Sequence, residues 1–418
     1  MTPLSQLCTR WLAGNPRKCS KARPFQDQPI MPIAVFALSL AAFCIGTTEF
    51  IVSGILLGVS TDLGVSVPAA GLLVTGYAAG VAVGGPLLAL LLSRFPLKPT
   101  ILAVMVVFAI GQLLCALAPT YELLLGARLI SACGHGVFFG VASVAITNLV
   151  PPEKRGSALS LLVGGITVAN ILGLPAGTAI GNAFGWRSTF VVIAVMAIIS
   201  VVAVVFALPS QQKGEEEADA PLRLQAAQLF HQDVFFSYLA IAVIMIGQLA
   251  FSTFQVAILT EITGLEPIVM VPIFLLIGGA GAVTGIWLGG RGADWNRDLT
   301  ILIVCAGQIV CFGILLISLH SAWAMAIMLF LTSAFGFGFS TPIQVRILHG
   351  ARAAPRLAAT MTSTAYNTGI AIGAAVGAAL LTAGISYELL PATGIACSAA
   401  ALLIAFISIR LARRPEPA

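Results

Sequence analysis

The sequence predicts an all-α membrane protein whose twelve transmembrane helices form two pseudo-symmetric six-helix bundles. Only 9% of its 418 residues are charged, 59% are hydrophobic, and the mean hydropathy is +1.02. Because soluble domains carry about 25% charged residues, this composition excludes a water-soluble globule. The apolar runs are long and unbroken, which excludes the short alternating segments of a transmembrane β-barrel.

Twelve apolar runs follow one another along the chain. A helix rises about 1.5 Å per residue and therefore needs about 20 apolar residues to cross a bilayer. We expect spans 1 to 12 at residues 32–58, 68–93, 100–118, 122–149, 157–181, 187–208, 234–260, 267–289, 299–319, 323–342, 358–383 and 388–410. An even number of spans places both termini on the same side of the membrane.

Lysine and arginine predict the orientation. The even side of the membrane is the one that holds both termini and the loops after even-numbered spans, and the odd side is the opposite one. Apart from Arg128, which lies inside span 4, Arg187 is the single lysine or arginine on the odd side. The even side carries Arg10, Arg17, Lys18, Lys21, Arg23, Arg94, Lys98, Lys154, Arg155, Lys213, Arg223, Arg291, Arg297, Arg346, Arg352, Arg356, Arg410, Arg413 and Arg414. By the positive-inside rule, both termini and the central loop are cytoplasmic, in a bacterial inner membrane. The net charge of +5 is therefore a topological signal and not a nucleic-acid patch.

Polar segments divide the chain into five parts. Residues 1–30 form a basic tail without the apolar core of a signal peptide, which indicates disorder or a start codon annotated too early. We expect an N-terminal bundle at 31–208, a cytoplasmic linker at 209–233, a C-terminal bundle at 234–410 and a cytoplasmic tail at 411–418.

Two near-constant offsets indicate that the bundles are an internal repeat. Ser93 corresponds to Asp294 at an offset of 201, and Asn170 corresponds to Asn367 at an offset of 197. An even-numbered unit repeats in parallel orientation, so a substrate is expected near the membrane midplane between the halves.

Two ionisable residues lie inside spans. Burying a charge in hydrocarbon costs about 2.5 to 3.5 kcal/mol, so a charged residue inside a span indicates a functional or structural role. Glu49 lies about 12 Å and Arg128 about 9 Å below the predicted outer ends of spans 1 and 4, at similar depth. The functional interpretation is a proton site at Glu49 that Arg128 controls electrostatically. The structural interpretation is a static ion pair that holds the two spans together.

His135 lies two helical turns deeper than Arg128 on the same face, near the midplane. It is suited to relay a proton or to bind substrate, because its reference pKa is about 6.5. The alternative is a neutral histidine whose hydrogen bonds go to backbone between Gly134 and Gly136.

Further polar and aromatic side chains are candidates to line the substrate cavity. The alternative for each residue, which is favoured for any one of them taken alone, is interhelical hydrogen bonding or lipid-facing packing. The candidates are Thr48, Tyr77, Asn170, Gln248, Gln255, Tyr366 and Asn367, with Phe138, Phe139, Phe251 and Phe254 as apolar walls.

Over residues 31–410 the sequence resembles the major facilitator superfamily, and within it the twelve-span drug:proton antiporter group that includes the bacterial arabinose-efflux-like permeases. The matching segments, in order, are Gly46-Thr47-Thr48-Glu49-Phe50, Asp62-Leu63-Gly64-Val65-Ser66, Arg128 with His135-Gly136, the span 5 residues Gly164, Gly173, Pro175, Gly177 and Thr178, Gly181-Asn182-Ala183-Phe184-Gly185-Trp186-Arg187, and Gly290-Arg291-Gly292-Ala293-Asp294.

The resemblance implies gating roles at two places. In span 5, small residues allow close packing and proline bends the helix, and the antiporter signature adds gating to Gly164, Gly173, Pro175 and Gly177. The loop pattern Gly-x-x-x-Asp-Arg-x-Gly-Arg-Lys is kept at Arg94 after span 2 and at Gly290 and Asp294 after span 8. The chain departs from it where Ser93 replaces the Asp and Trp295 replaces the Arg.

The sequence indicates transport and not catalysis. It contains neither a Walker-type phosphate loop nor a hydrolase motif, and its eight cysteines match no zinc spacing, so we expect no cofactor and no metal. We expect a monomeric secondary transporter that exports a small organic solute by proton antiport, with protons and the lipid bilayer as its other partners. Sugar or nucleoside efflux is the alternative to drug efflux, and a non-transporting receptor on the same fold is the alternative of another class.

Overall fold

The computed structural model describes residues 31–92, 95–210, 231–351 and 355–412. The predictions for the tail at 1–30, for Arg94, for linker residues 211–230 and for residues 413–418 lie outside this part of the chain. All regular structure in the described residues is helical. The predicted fold class is confirmed.

Eleven helices of the described chain are long and apolar enough to cross a membrane. They are Ile33–Leu63, Val67–Leu92, Leu97–Leu117, Tyr121–Leu149, Arg155–Phe184 and Trp186–Ala207 for spans 1 to 6, Gln232–Ile262 for span 7, Met270–Ser318 for spans 8 and 9, Ala322–Gly350 for span 10, Pro355–Thr382 for span 11 and Leu390–Ala412 for span 12.

The helical stretch Met270–Ser318 consists of two helices, spans 8 and 9, that meet at a kink where Asn296 has non-helical backbone. Span 8 therefore continues past its predicted end at residue 289, because the polar residues up to the kink stay helical. The side chain of Asn296 accepts a hydrogen bond from the N–H of Leu299 at 3.0 Å, as an N-cap does. With one span on each side of this kink, the described chain has the predicted twelve spans.

Span 1 extends five residues past its predicted end at 58. In this polar end, the hydroxyl of Thr61 donates to the carbonyl of Leu57 in the preceding turn at 2.9 Å. The helix stops at Gly64, whose φ of 64° favours glycine. Glu49 therefore lies 14 residues from Leu63, about 21 Å from the end of the helix and not the predicted 12 Å.

Arg187, the one predicted exception to the charge asymmetry, joins the C-terminal ends of spans 1 and 3 to the N-terminal end of span 6. Its guanidinium forms an ion pair with Asp62 and donates to the carbonyl of Ala118 at 3.0 Å. Trp186 donates to the same carboxylate at 3.1 Å. The cation on the odd side thus has a paired acid beside it.

Glu266 caps span 8 at the same end of the molecule. Its carboxylate accepts hydrogen bonds from the N–H groups of Ile268 and Val269, each at 2.7 Å. These bonds hold the pKa of Glu266 below its usual range.

Helix packing repeats between the halves. Span 1 packs on span 5, span 2 on span 4 and span 3 on span 6, while span 7 packs on span 11 and the long helix of spans 8 and 9 packs on spans 10 and 12. Between the halves, span 2 packs on span 11 and span 5 on span 8. Hydrogen bonds between described residues cross this interface from Thr75 to the carbonyl of Ala371 at 3.1 Å and from Asn182 to the carbonyl of Pro267 at 2.7 Å.

Span 5 contains a π-helical turn at Ala169–Gly173, just before Pro175. Gly173 faces Thr47 and Gly177 faces Ile51, each so closely that a β-carbon would collide with span 1. Gly164 differs, because a β-carbon there would meet no described atom within 4 Å, so the predicted close packing is wrong for that residue.

Candidate functional site

Arg128 is the largest fully buried side chain of span 4, and it joins spans 1 and 2 to that helix. Its NH1 group donates a hydrogen bond to the carbonyl oxygen of Thr48 at 2.8 Å. Its guanidinium carbon lies 4.0 Å from the centre of the Tyr77 ring, a cation–π contact. Its Nε and NH2 atoms have no partner among the described residues. The guanidinium is thus held by one hydrogen bond to Thr48 and by the stacking of one face on the Tyr77 ring.

Glu49 follows Thr48 directly and is partly exposed. Its carboxylate forms no ion pair with Arg128 within 4.0 Å, and no hydrogen bond to any described residue. Arg128 still acts on it through space as the nearby positive charge. The carboxylate is therefore under the influence of the cation without being locked to it.

Tyr77 connects Arg128 to His135. Its ring stacks on the guanidinium, and its hydroxyl lies 3.1 Å from Nδ1 of the buried imidazole. The imidazole also meets the ring of Phe139 edge to face at 5.5 Å, and Phe139 meets Phe138 at 5.3 Å. The partner of His135 Nδ1 is thus the tyrosine hydroxyl and not backbone.

Asn170 and Asn367, the residues that indicated the repeat, make matching contacts. Each donates its side-chain N–H to the carbonyl four residues earlier, Asn170 to Ile166 at 3.2 Å and Asn367 to Ser363 at 3.1 Å. Asn170 lies in the π-helical turn of span 5, where the ordinary backbone pairing is interrupted. The Oδ1 atom of Asn367 is buried without a partner.

The polar candidates of the C-terminal half lie in different surroundings. Gln248 accepts a hydrogen bond from Gln308 at 2.6 Å, a residue that the sequence analysis did not select. The hydroxyl of Tyr366 is buried and has no partner in the described chain. Gln255 is partly exposed and begins the helical segment that follows a turn at Thr253 and Phe254.

A sequence model described as Major Facilitator Superfamily matches residues 38–378. The chain belongs to the major facilitator superfamily. It is 34% identical over 386 residues to the inner membrane transport protein YdhP of Escherichia coli K12, covering 91% of this chain and 97% of that protein. It is 31% identical over 333 residues to the chloramphenicol resistance protein of Streptomyces lividans, covering 79% and 84%.

The fold is also that of a solved structure. A bacterial homologue of the human lysosomal transporter Spinster, inward-facing and unoccupied, superposes with a TM-score of 0.72 at 16% identity, over 94% of this chain and 100% of that one. At this identity the likeness shows the fold alone. The family and fold make this chain a multi-pass membrane transporter.

Asp294, the acid of the superfamily's loop pattern, does not belong to a charge cluster in the described chain. Asp294 is exposed and forms no ion pair within the described chain, and Gly290 lies beside it in the continuous helix. Asp298, four residues on, is the acid that is paired. It accepts from Arg346 at 2.9 Å and from Arg297 at 3.1 Å.

Arg346 is the centre of this cluster, which sequence reasoning missed. It is 5% exposed and also bonds Asp233 at 2.7 Å and Ser408 at 2.9 Å, so that it joins spans 7, 9, 10 and 12. The sequence predicts that Arg346 lies in a loop, because the apolar run of span 10 ends at residue 342. A signal was present in the helical sequence Ser340–Gly350, which places Arg346 on the side of Ile343 and Ile347.

Proposed function

We propose that this chain is a secondary active transporter that exports a small organic solute across the bacterial inner membrane in exchange for protons, by alternating access. Both termini lie in the cytoplasm in this proposal, as the charge asymmetry predicts. The observation that carries it is the arrangement at span 1, where the backbone of Thr48 holds Arg128, while the neighbouring Glu49 carboxylate is partly exposed and has no partner among the described residues.

The proton site follows from the unequal freedom of the two charges. Arg128 is charged at all relevant pH values and is fixed by Thr48 and by the Tyr77 ring. The Glu49 carboxyl is free to bind or to release a proton where water reaches it. When ionised, it is attracted to the unpartnered nitrogens of Arg128; when protonated, it loses that attraction. Protonation therefore changes the force between spans 1 and 4.

Antiport requires that solute and proton exclude each other at one site. Solute bound beside Glu49 stabilises the ionised carboxylate or takes its place, so that the proton leaves; solute departure on the outside allows a proton from the outside to bind. Each cycle then carries a proton inward and a solute outward. The Tyr77–His135 pair, at 3.1 Å, extends the polar path toward the midplane.

The relatives support export of drug-type molecules. One similar protein is named for chloramphenicol resistance, and we transfer that substrate type to this chain as part of the proposal. The amide and phenol groups of the site suit hydroxylated solutes as well, so sugar or nucleoside export is the second candidate within the same mechanism.

Proton release on solute binding tests the proposal against a receptor on the same fold. Purified protein in a weakly buffered solution is mixed with chloramphenicol, and pH and binding are recorded together. We expect proton release by the wild type and by Glu122→Gln, a matched carboxylate at the exposed start of span 4, and none by Glu49→Gln. Binding by the wild type without proton release would contradict antiport and favour a receptor.

A further inference from the structure

A buried pair of amides links spans 7 and 9 in the C-terminal half. The Nε2 group of Gln308 donates to Oε1 of Gln248 at 2.6 Å, and Gln308 is fully buried. Gly336 of span 10 lies beside both, since a β-carbon there would be 3.1 Å from Gln248 Oε1 and 3.2 Å from Gln308 Nε2. The absence of a side chain at Gly336 leaves room for the pair.

The direction of this hydrogen bond determines what Gln248 has left to offer. Its carbonyl oxygen is occupied by Gln308, so its free end is the Nε2 group, a donor. No described residue accepts a hydrogen bond from that group, and the side chain keeps 8% exposure. The Nε2 atom is not among the fully buried polar atoms without a partner, so it is open to an acceptor that reaches it from outside the protein.

The aromatic pair one turn along the helices holds the amides in place. Phe251 of span 7 meets Phe312 of span 9 edge to face at 5.9 Å, and Gly394 of span 12 packs against the Phe312 ring. Both phenylalanines are buried. Spans 7 and 9 are thus joined by two successive layers of contacts, and the Gln248 side chain has a fixed base.

The internal repeat relates the Gln248–Gln308 pair to the proposed proton site. Span 7 of the C-terminal half corresponds to span 1 of the N-terminal half, which carries Glu49. Span 1 therefore carries the ionisable group Glu49, and its counterpart, span 7, carries the neutral donor Gln248. The two spans meet where Gln255–Ala257 packs on span 1.

We propose that Gln248 binds the transported solute through its Nε2 donor and that Gln308 is the positioning residue that fixes this amide. The solute then carries a neutral oxygen acceptor, such as a hydroxyl, carbonyl or nitro group, at the end that faces the C-terminal half. This inference rests on the proposed export function and adds the class of group that the second half recognises. A site with a fixed, unpaired donor discriminates against analogues that lack the acceptor.

Transport kinetics in proteoliposomes with an imposed pH gradient test this assignment. The probes are chloramphenicol, which has several oxygen acceptors, and tetraphenylphosphonium, which has none. We expect Gln248→Leu and Gln308→Leu to raise KM for chloramphenicol about tenfold, with kcat nearly unchanged, and to leave the kinetics of tetraphenylphosphonium unchanged.

Gln112 provides the matched control. It lies 196 residues before Gln308, at the corresponding place in span 3, and is also fully buried, but both of its amide atoms are without a partner in the described chain. Gln112→Leu should leave both KM values unchanged.

Each other outcome is informative. The acceptor assignment would be overturned, with export still standing, if the two variants shifted KM equally for both probes or lowered kcat alone. It would also be overturned if the wild type transported tetraphenylphosphonium but not chloramphenicol. If the wild type carries chloramphenicol only, unchanged KM in Gln308→Leu overturns the assignment, and a raised KM with an unchanged melting temperature supports it. Failure of the wild type to move either probe against a gradient would contradict the proposed function itself, and with it this inference.

Discussion

Arg128 donates a hydrogen bond to the backbone carbonyl of Thr48 at 2.8 Å, so the cation of span 4 is anchored to the main chain of span 1 and not to a carboxylate. A carbonyl in the middle of a helix already accepts a bond within that helix, and this extra donor uses its second lone pair. The contact that anchors Arg128 therefore does not involve the carboxylate of Glu49, which Arg128 acts on only through space.

Tyr77 is predicted to act on Arg128 mainly through its ring. Tyr77→Phe keeps the stacking at 4.0 Å but leaves His135 without its hydroxyl partner, at a cost of about 1 to 3 kcal/mol. Tyr77→Leu removes the ring as well and frees the guanidinium. We expect proton-driven uphill export to be reduced a few-fold in Tyr77→Phe and at least tenfold in Tyr77→Leu, measured in proteoliposomes. Equal activities in the two variants would show that the stacking is unimportant.

The charge cluster around Arg346 is predicted to stabilise the C-terminal half. Arg346→Met leaves Asp233 without its charged partner and Asp298 with Arg297 alone, which should lower the free energy of unfolding by about 3 to 5 kcal/mol. Thermal unfolding in detergent measures the effect. The control is Arg291→Met, because Arg291 lies in the same region but stacks on Trp287 and forms no ion pair in the described chain.

The triple variant Arg346→Met, Asp233→Asn, Asp298→Asn should recover much of the lost stability, since it removes both carboxylates together with the cation that they pair with. A triple variant that is less stable than Arg346→Met would contradict an electrostatic role for this cluster.

Orientation in the membrane is predicted from Lys and Arg alone, and labelling tests it. In a background without cysteines, Ser66→Cys lies in the exposed connection after span 1 and Ser210→Cys in the exposed segment after span 6. An impermeant thiol reagent added to intact cells should label position 66 and spare position 210. Both substitutions are serine to cysteine, so reactivity differs by access only. The reverse pattern would place both termini outside.

The sequence was sufficient for the spans and for bringing Arg128 close to span 1, because both depend on local properties. Hydropathy locates each helix, and counting 1.5 Å per residue placed Glu49 and Arg128 at similar depth, which the Thr48 contact confirms.

Contacts between distant residues could not be predicted in this way. Gln308 bonds Gln248 across 60 residues and Arg346 bonds Asp233 across 113, and neither pairing follows from the period of a helix. The sequence shows that Arg346 is charged, but only the packing of spans 7, 9, 10 and 12 shows that this charge is buried among acids. The kink at Asn296 was missed because polar residues were assumed to mark a loop.

The roles of Glu49 and Arg128 lead to the most discriminating prediction. Glu49→Gln keeps the shape and hydrogen-bonding capacity of the side chain but cannot carry a proton. We expect it to abolish uphill export driven by a pH gradient while solute binding and downhill exchange persist. Arg128→Lys should reduce uphill export at least tenfold, because a compact ammonium cannot both bond the Thr48 carbonyl and stack on the Tyr77 ring as a planar guanidinium does.

A static clamp between spans 1 and 4 predicts a different pattern. Both single changes would then lower thermal stability, and the double variant Glu49→Gln with Arg128→Gln would restore fold and activity together, since no charge is left unpaired. A proton site predicts that the double variant folds but stays inactive in uphill export, because it still has no group that binds a proton. Vesicles with an imposed pH gradient separate the two interpretations, and recovery of uphill export in the double variant would sink the assignment of Glu49 as the proton site.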